Sequence, residues 1–144
     1  EVFSDNKTTY LRVVDYKTGS KKAEELKSIQ DVFDSKNIRT KKSDYTMQAL
    51  LYSLIEAGYD NIHNPSHKPV SPALLFIQHA GGNDYTPIIS MAGEKITDVT
   101  IYEEDFMQEL STKLAEIYDP EIPFSPTADL KICDYCPYRQ LCGR

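Results

Sequence analysis

The sequence predicts an α/β or α+β domain with a mixed β-sheet flanked by helices. Three observations carry that expectation. Residues 11–14 and 72–77 are short apolar runs of strand length. Residues 44–57 and 103–118 carry apolar side chains at helical spacing. Along the chain these elements fall in the order strand, strand, helix, helix, strand, strand, helix, which suits one mixed sheet rather than a pure bundle or sandwich.

Residues 1–3 read as the end of a strand, and Ser4-Asp5-Asn6-Lys7 as a turn. Residues 8–15 form the next strand, so the two make an antiparallel hairpin. Leu11, Val13 and Val14 suit burial on at least one face, and the strand delivers Asp15-Tyr16-Lys17-Thr18-Gly19 at its end. Because i and i+2 point the same way in extended chain, Asp15 and Lys17 project together. Residues 19–22 are polar loop. Leu26, Ile29, Val32 and Phe33 place a short amphipathic helix over 23–33. Residues 34–43 are polar and basic and read as an exposed loop.

The strongest helix is expected over 44–57, capped by Ser43 or Asp44, with Met47, Leu50, Leu51, Leu54 and Ile55 on its apolar face and Gly58 at its end. Gln48 and Tyr52 interrupt it as i,i+4 neighbours on one stripe. Residues 60–71 read as loop, 72–77 as a buried strand, 81–84 as a turn, and 86–91 as a partner strand towards an edge because of Pro87. Residues 94–101 are strand or loop. Thr100-x-x-Glu103 resembles a capping box that opens a helix to about Tyr118, with Phe106, Met107, Leu110, Leu114 and Ile117 inward. Pro120, Pro123 and Pro126 stop it and lead through an extended arm to the last residues.

Composition narrows the class. The chain has 144 residues, of which 40% are hydrophobic and 26% charged, as in an ordinary globular domain. No apolar run is long enough for a membrane span, and no secretory signal pattern is present in the sequence. The chain opens with Glu1 almost directly into a strand, so the expectation is a piece of a longer protein. A net charge of −6 argues against holding nucleic acid by bulk electrostatics. It leaves room for local contacts, and Lys36, Arg39, Lys41 and Lys42 form a basic patch that is either solvated loop or a contact to DNA. The three cysteines, Cys133, Cys136 and Cys142, crowd the C-terminus. That count and spacing suit metal ligation better than disulfides, and a reducing, cytoplasmic compartment follows. His63, His67 and His79 have no spacing that argues for a ligand or a catalytic role.

Asp-x-Lys alone is a common tripeptide, and most copies are solvated turn residues. Gln-x-x-x-Tyr is equally ordinary as a buried polar pair, and three reduced thiols in a tail are the plain reading of the cysteines. In combination they say more. A carboxylate beside an ammonium is costly to desolvate for stability alone, and it is the pair needed where a hard cation and a phosphate meet. Strand–Asp15-Tyr16-Lys17-Thr18-Gly19, Gln48-Ala49-Leu50-Leu51-Tyr52 and Cys133-x2-Cys136-x5-Cys142 occur in that order along nearly the whole chain. In this it resembles the PD-(D/E)xK nuclease superfamily, and more narrowly the RecB/AddB-type nuclease domain.

The resemblance implies a restriction-endonuclease-like core, incomplete at the N-terminus, over 1–127, with a cysteine-containing tail over 128–144. It implies that Asp15, with the backbone carbonyl of Tyr16, ligates Mg²⁺ or Mn²⁺. Lys17 positions the attacking water or neutralises charge on the scissile phosphate. Gln48 and Tyr52 line the site and orient Lys17 or contact DNA. Cys133, Cys136 and Cys142 belong to a [4Fe–4S] clasp whose fourth ligand is elsewhere; zinc with a histidine is the alternative. The implied function is metal-dependent DNA hydrolysis, by an exonuclease, in a repair or recombination protein with a helicase domain or subunit. A second metal-binding Asp is expected about a dozen residues before Asp15, which falls upstream of Glu1 or near Val2, so weak or absent activity is expected of these 144 residues. A noncatalytic DNA-binding or structural nuclease-fold module and a zinc-binding interaction domain are the other readings.

Overall fold

In the computed structural model of the chain, residues 2–5, 8–58, 62–82 and 85–144 are described. They divide into two compact units, Glu1–Ser111 and Thr112–Arg144. The first is an α/β unit with a mixed three-stranded sheet of order β1-β2-β3.

β1 (Val2–Asp5) pairs antiparallel with β2 (Thr8–Lys17), and β2 pairs parallel with β3 (Val70–Phe76). The hairpin is as expected, but β1 runs through Ser4 and Asp5, which composition assigned to the turn. Asn6 and Lys7 of that turn lie outside the described residues. β2 continues two residues beyond its expected end, so both Asp15 and Lys17 are strand residues. Leu11 faces Val70 across the ladder, Asp15 faces Leu74 and Lys17 faces Phe76. Val70 and Ser71, read as loop, belong to β3, which is buried along nearly its whole length. That burial is why its sequence is a continuous apolar run rather than an alternating one.

Pro72 is tolerated inside β3 because its neighbour adjusts. On the side away from β2, Ile89 N–H donates to Pro72 O (3.2 Å) and Leu74 N–H donates to Pro87 O (2.8 Å). Pro72 has no N–H to return, and the Ile89 carbonyl accepts from Ile96 N–H instead (2.9 Å). The expected strand over 86–91 is accordingly reduced to a single bridge at Ile88 and to β4 (Ser90–Met91), which pairs with β5 (Glu94–Lys95). Asn83 and Asp84 of the expected 81–84 turn, and Asp60 and Asn61 of the expected loop, lie outside the described residues.

The helix expected over 23–33 is only α1 (Ile29–Phe33). Ser28 Oγ accepts from Asp31 N–H (3.3 Å) and the Asp31 carboxylate accepts from Lys27 N–H (3.0 Å), a reciprocal cap that starts the helix late. Leu26 is instead bridged to Met91 and fully buried. Residues 35–40, expected as loop, form α2 (Ser35–Thr40), with the Asp34 side chain accepting from Lys36 N–H (2.9 Å). No residue of α2 is buried, so no apolar period announced it.

α3 (Ser43–Ala57) is the expected central helix, ended by Gly58. Leu50 of the expected face is in the core and Met47, Leu51 and Leu54 pack against it, so only Ile55 departs from the expectation; the small residues beside them were not expected. Ser43, Thr46, Ala49, Leu50 and Ser53 are buried, whereas Ile55 is 58% exposed. Small side chains let the helix axis come close to the sheet, and the larger Met47, Leu51 and Leu54 pack at its margins against the core. Its N-cap is Lys42 in the left-handed conformation (φ 58°) with no side-chain cap, so neither Ser43 nor Asp44 caps it.

A 3₁₀ turn, Val99–Tyr102, leads into α4 (Glu103–Tyr118). The cap is Asp98, which accepts from Thr100 N–H (3.0 Å) and from Thr100 Oγ1 (2.8 Å), rather than Thr100 itself. Phe106 is fully buried and meets Phe33 edge-on at 5.2 Å between ring centroids. Met107, Leu114 and Ile117, expected inward, are largely exposed. In the second unit, α5 (Leu130–Cys133) starts on Asp129 and is followed by hydrogen-bonded turns through Cys142. Among the described residues, no helix is long and apolar enough to cross a membrane.

Candidate active site

One face of β2 changes character along its length. Leu11 and Val13 pack against the core, and the next two residues on that face are Asp15 and Lys17. The sheet therefore carries an acid and a base at the carboxyl end of a parallel strand pair, where open α/β sheets commonly place their ligands. Lys17 Nζ lies 2.7 Å from Asp15 Oδ2, and the side chains are only 16% and 19% exposed. The contact is Coulombic rather than a directed hydrogen bond, since Asp15 Oδ2 is buried and accepts none.

α3 supplies the other side. Lys17 Nζ donates to Gln48 Oε1 at 2.8 Å, and Gln48 Nε2 donates to Tyr52 OH at 2.8 Å. An ammonium has no acceptor, so it forces the amide oxygen towards itself and the amide nitrogen towards Tyr52. The structure thus joins Asp15, Lys17, Gln48 and Tyr52 into one chain of contacts. Tyr52 is its outer end, at 43% exposed.

Two residues that the sequence reading passed over complete the surroundings of Lys17. Its Nζ lies 4.5 Å from the centroid of the Tyr45 ring, which packs on Phe76 with 6.1 Å between centroids. Lys42 Nζ lies 5.8 Å from the centroid of the same ring. Tyr45 was detectable in principle: it precedes Gln48 by three residues and Tyr52 by seven, the spacing of one helix face. Phe76 is set by register, opposite Lys17 on β3.

The loop after β2 is fastened from the residues that follow β3. Gln78 Nε2 donates to Thr18 O (2.9 Å), and His79 Nε2 lies 2.7 Å from Ser20 O. His79 is thus a structural contact, and His63 pairs with Glu56 at 3.2 Å. A cleft of about 660 Å³ opens beside this loop, with Leu74, Phe76, Gln78, His79 and Tyr85 among its lining. Asp15 and Lys17 are not part of that lining; among the described residues, the cleft and the Lys17 site share Phe76.

The donor set suits a hard divalent cation of the magnesium kind, which takes one or two carboxylates and fills the remainder with water and phosphate oxygens. Asp15 Oδ2 is buried and accepts no directed hydrogen bond, but it lies 2.7 Å from Lys17 Nζ, so a cation there would share the carboxylate with the ammonium. Leu11 N–H donates to Pro69 O on the β3 side (2.9 Å), so by alternation the Tyr16 carbonyl faces the opposite edge of β2. Among the described residues no group of three or more His, Cys, Asp or Glu side chains is placed to hold a metal.

An iron–sulfur centre is not fitted by the residues present. It needs four thiolates, and the three free cysteines range from buried Cys133 through Cys136 to exposed Cys142 without forming such a group. A zinc site of these cysteines with a histidine is likewise not assembled among the described residues.

Residues 3–143 match the family model described as the PD-(D/E)XK nuclease superfamily. Comparison with curated proteins and with solved structures gave no match. The α/β architecture is consistent with the restriction-endonuclease-like fold of that superfamily.

Proposed function

The chain belongs to the PD-(D/E)XK nuclease superfamily, and on that premise we propose that Asp15, Lys17, Gln48 and Tyr52 form a metal-dependent site for phosphodiester hydrolysis in DNA. The observation that carries the reading is the Lys17 ammonium, held between Asp15 at 2.7 Å and Gln48 at 2.8 Å at the end of β2. Asp15, with the Tyr16 carbonyl, would hold Mg²⁺ or Mn²⁺. Such a cation, when bound, supplies Lewis-acid stabilisation of phosphate charge and a more acidic water.

The residues divide the remaining work. Lys17 is the catalytic residue: its ammonium sets a donor and a positive charge against the scissile phosphate, where negative charge grows during hydrolysis. Gln48 is neutral, so it fixes the direction of Lys17 without quenching its charge. Tyr52 holds the Gln48 amide in the orientation that this requires. The finer assignment follows the order of the three sequence motifs: an exonuclease of the RecB/AddB kind, acting on DNA ends in repair or recombination beside a helicase domain or subunit.

Hydrolysis of labelled linear DNA in Mn²⁺ tests the site. Lys17→Met keeps most of the side-chain volume and removes the charge. It is expected to lower the single-turnover rate by about 100- to 1,000-fold, the scale of losing one transition-state donor. An unchanged rate in a folded Lys17→Met protein would place the chemistry elsewhere.

A further inference from the structure

We propose that Lys42 is a second phosphate-binding residue of this site, contacting the DNA phosphate next to the one that Lys17 serves. The proposal rests on the hydrolase reading for the place of the scissile phosphate. Its own support is at the α2–α3 corner.

Lys42 breaks two local rules at once. The N-cap of a helix is normally an extended residue whose side chain accepts a backbone hydrogen bond. Lys42 is left-handed (φ 58°), and no side chain caps α3. A lysine cannot accept such a bond, and an L-residue with a long side chain is disfavoured in this conformation. The backbone is fixed on both sides nonetheless: Lys41 O accepts from Glu24 N–H (2.8 Å) and Lys42 O accepts from Tyr45 N–H (3.1 Å). Strained backbone of this kind concentrates where a side chain must be presented.

The presented side chain goes to the Tyr45 ring, with Nζ 5.8 Å from its centroid. Lys17 Nζ is 4.5 Å from the same centroid. Two ammoniums share one aromatic ring, yet among the described residues Lys17 has a carboxylate partner and Lys42 has none. The Lys17 charge is already met by Asp15, so Lys42 is the ammonium of this ring left to meet an anion, and the next phosphate of a strand laid across Lys17 is such an anion. Lys36, Arg39 and Lys41 extend the basic character of the corner along α2.

Binding without cleavage tests the assignment apart from the hydrolysis. The affinity of the chain for a labelled 20-nucleotide single-stranded DNA is measured in EDTA over a range of NaCl concentrations. Lys42→Gly suits the left-handed backbone, and Lys42→Asn, which also tolerates it, serves if the glycine variant fails to fold. Either is expected to weaken binding several-fold and to make the slope of log affinity against log salt shallower by about 0.7, the loss of one phosphate contact on a single strand. Lys42→Arg is expected to retain the slope, and Lys95→Ala, an exposed lysine on β5, to leave it unchanged. An unchanged slope in Lys42→Gly or Lys42→Asn overturns the proposal, as does an equal loss in Lys95→Ala. A chain that binds no DNA overturns it together with the reading beneath it. A Lys42-dependent slope without any Mn²⁺-dependent cleavage sustains the phosphate contact and removes the hydrolase reading alone.

Discussion

Lys17 is surrounded by one charged group and two neutral ones, and the difference matters for what each neighbour can do. Asp15 neutralises Lys17 through its buried Oδ2 and, in the proposed site, would share that carboxylate with a cation. Gln48 and the Tyr45 ring can only direct the ammonium. Removing Gln48 should therefore leave the charge in place and spoil its aim. Gln48→Ala is expected to slow Mn²⁺-dependent cleavage by about 10- to 100-fold, as for other residues that act through a neighbour. Tyr52→Phe, which frees one N–H of Gln48 at a half-exposed position, should cost less. Far-UV circular dichroism should show both variants folded. Equal losses in the two would mean that Tyr52 acts on DNA directly rather than through Gln48. The Asp15/Lys17 and Gln48/Tyr52 pairs were legible in the sequence because they sit at strand and helix periods, two and four residues apart; that the two pairs meet was implied by the resemblance alone. Lys42 was visible only as one of four clustered basic residues, since nothing in composition reports a left-handed φ or a shared ring.

At the scale of elements, α3 decides where the site sits, and it does so through small residues. Ser43, Ala49 and Ser53 are fully buried, and helix periodicity, which found Met47, Leu50, Leu51 and Leu54 correctly, missed these small residues and misplaced Ile55. A helix close to a sheet needs little side-chain volume between them, and the sequence states that need as serine and alanine rather than as leucine. The buried hydroxyls of Ser43 and Ser53 have no hydrogen-bond partner among the described residues. An unpaired buried hydroxyl carries its desolvation cost without return, so Ser53→Ala is expected to raise stability by about 1 kcal/mol. The urea midpoint should move up with an unchanged slope; a lower midpoint would reveal a partner for the hydroxyl. The other misjudged elements share a cause. α1 begins late because the Ser28–Asp31 cap overrides the apolar spacing of Leu26, and α2 buries nothing, so no hydrophobic period could announce it.

Over the whole molecule, a net charge of −6 coexists with a basic corner at one end of α3. That separation suits a protein that meets nucleic acid at one place rather than along its whole surface. The mixed sheet and the strand-end position of Asp15 and Lys17 followed from the run of apolar segments, whereas the parallel β2–β3 pairing was not expected. The reduced strand around Ile88 did not, because Pro72 and Pro87 shape its pairing through the N–H groups that they lack. The central claim is that the Asp15 end of β2 performs cation-dependent hydrolysis. The most direct measurement is the single-turnover cleavage rate of labelled linear DNA in Mn²⁺, taken for the chain and for Asp15→Asn. This nearly isosteric change removes the anionic oxygen and keeps the strand. The expected result is a loss of at least about 100-fold in Asp15→Asn, with no cleavage by either protein in EDTA. Equal measurable rates in the two proteins, or cleavage that persists in EDTA, would contradict it.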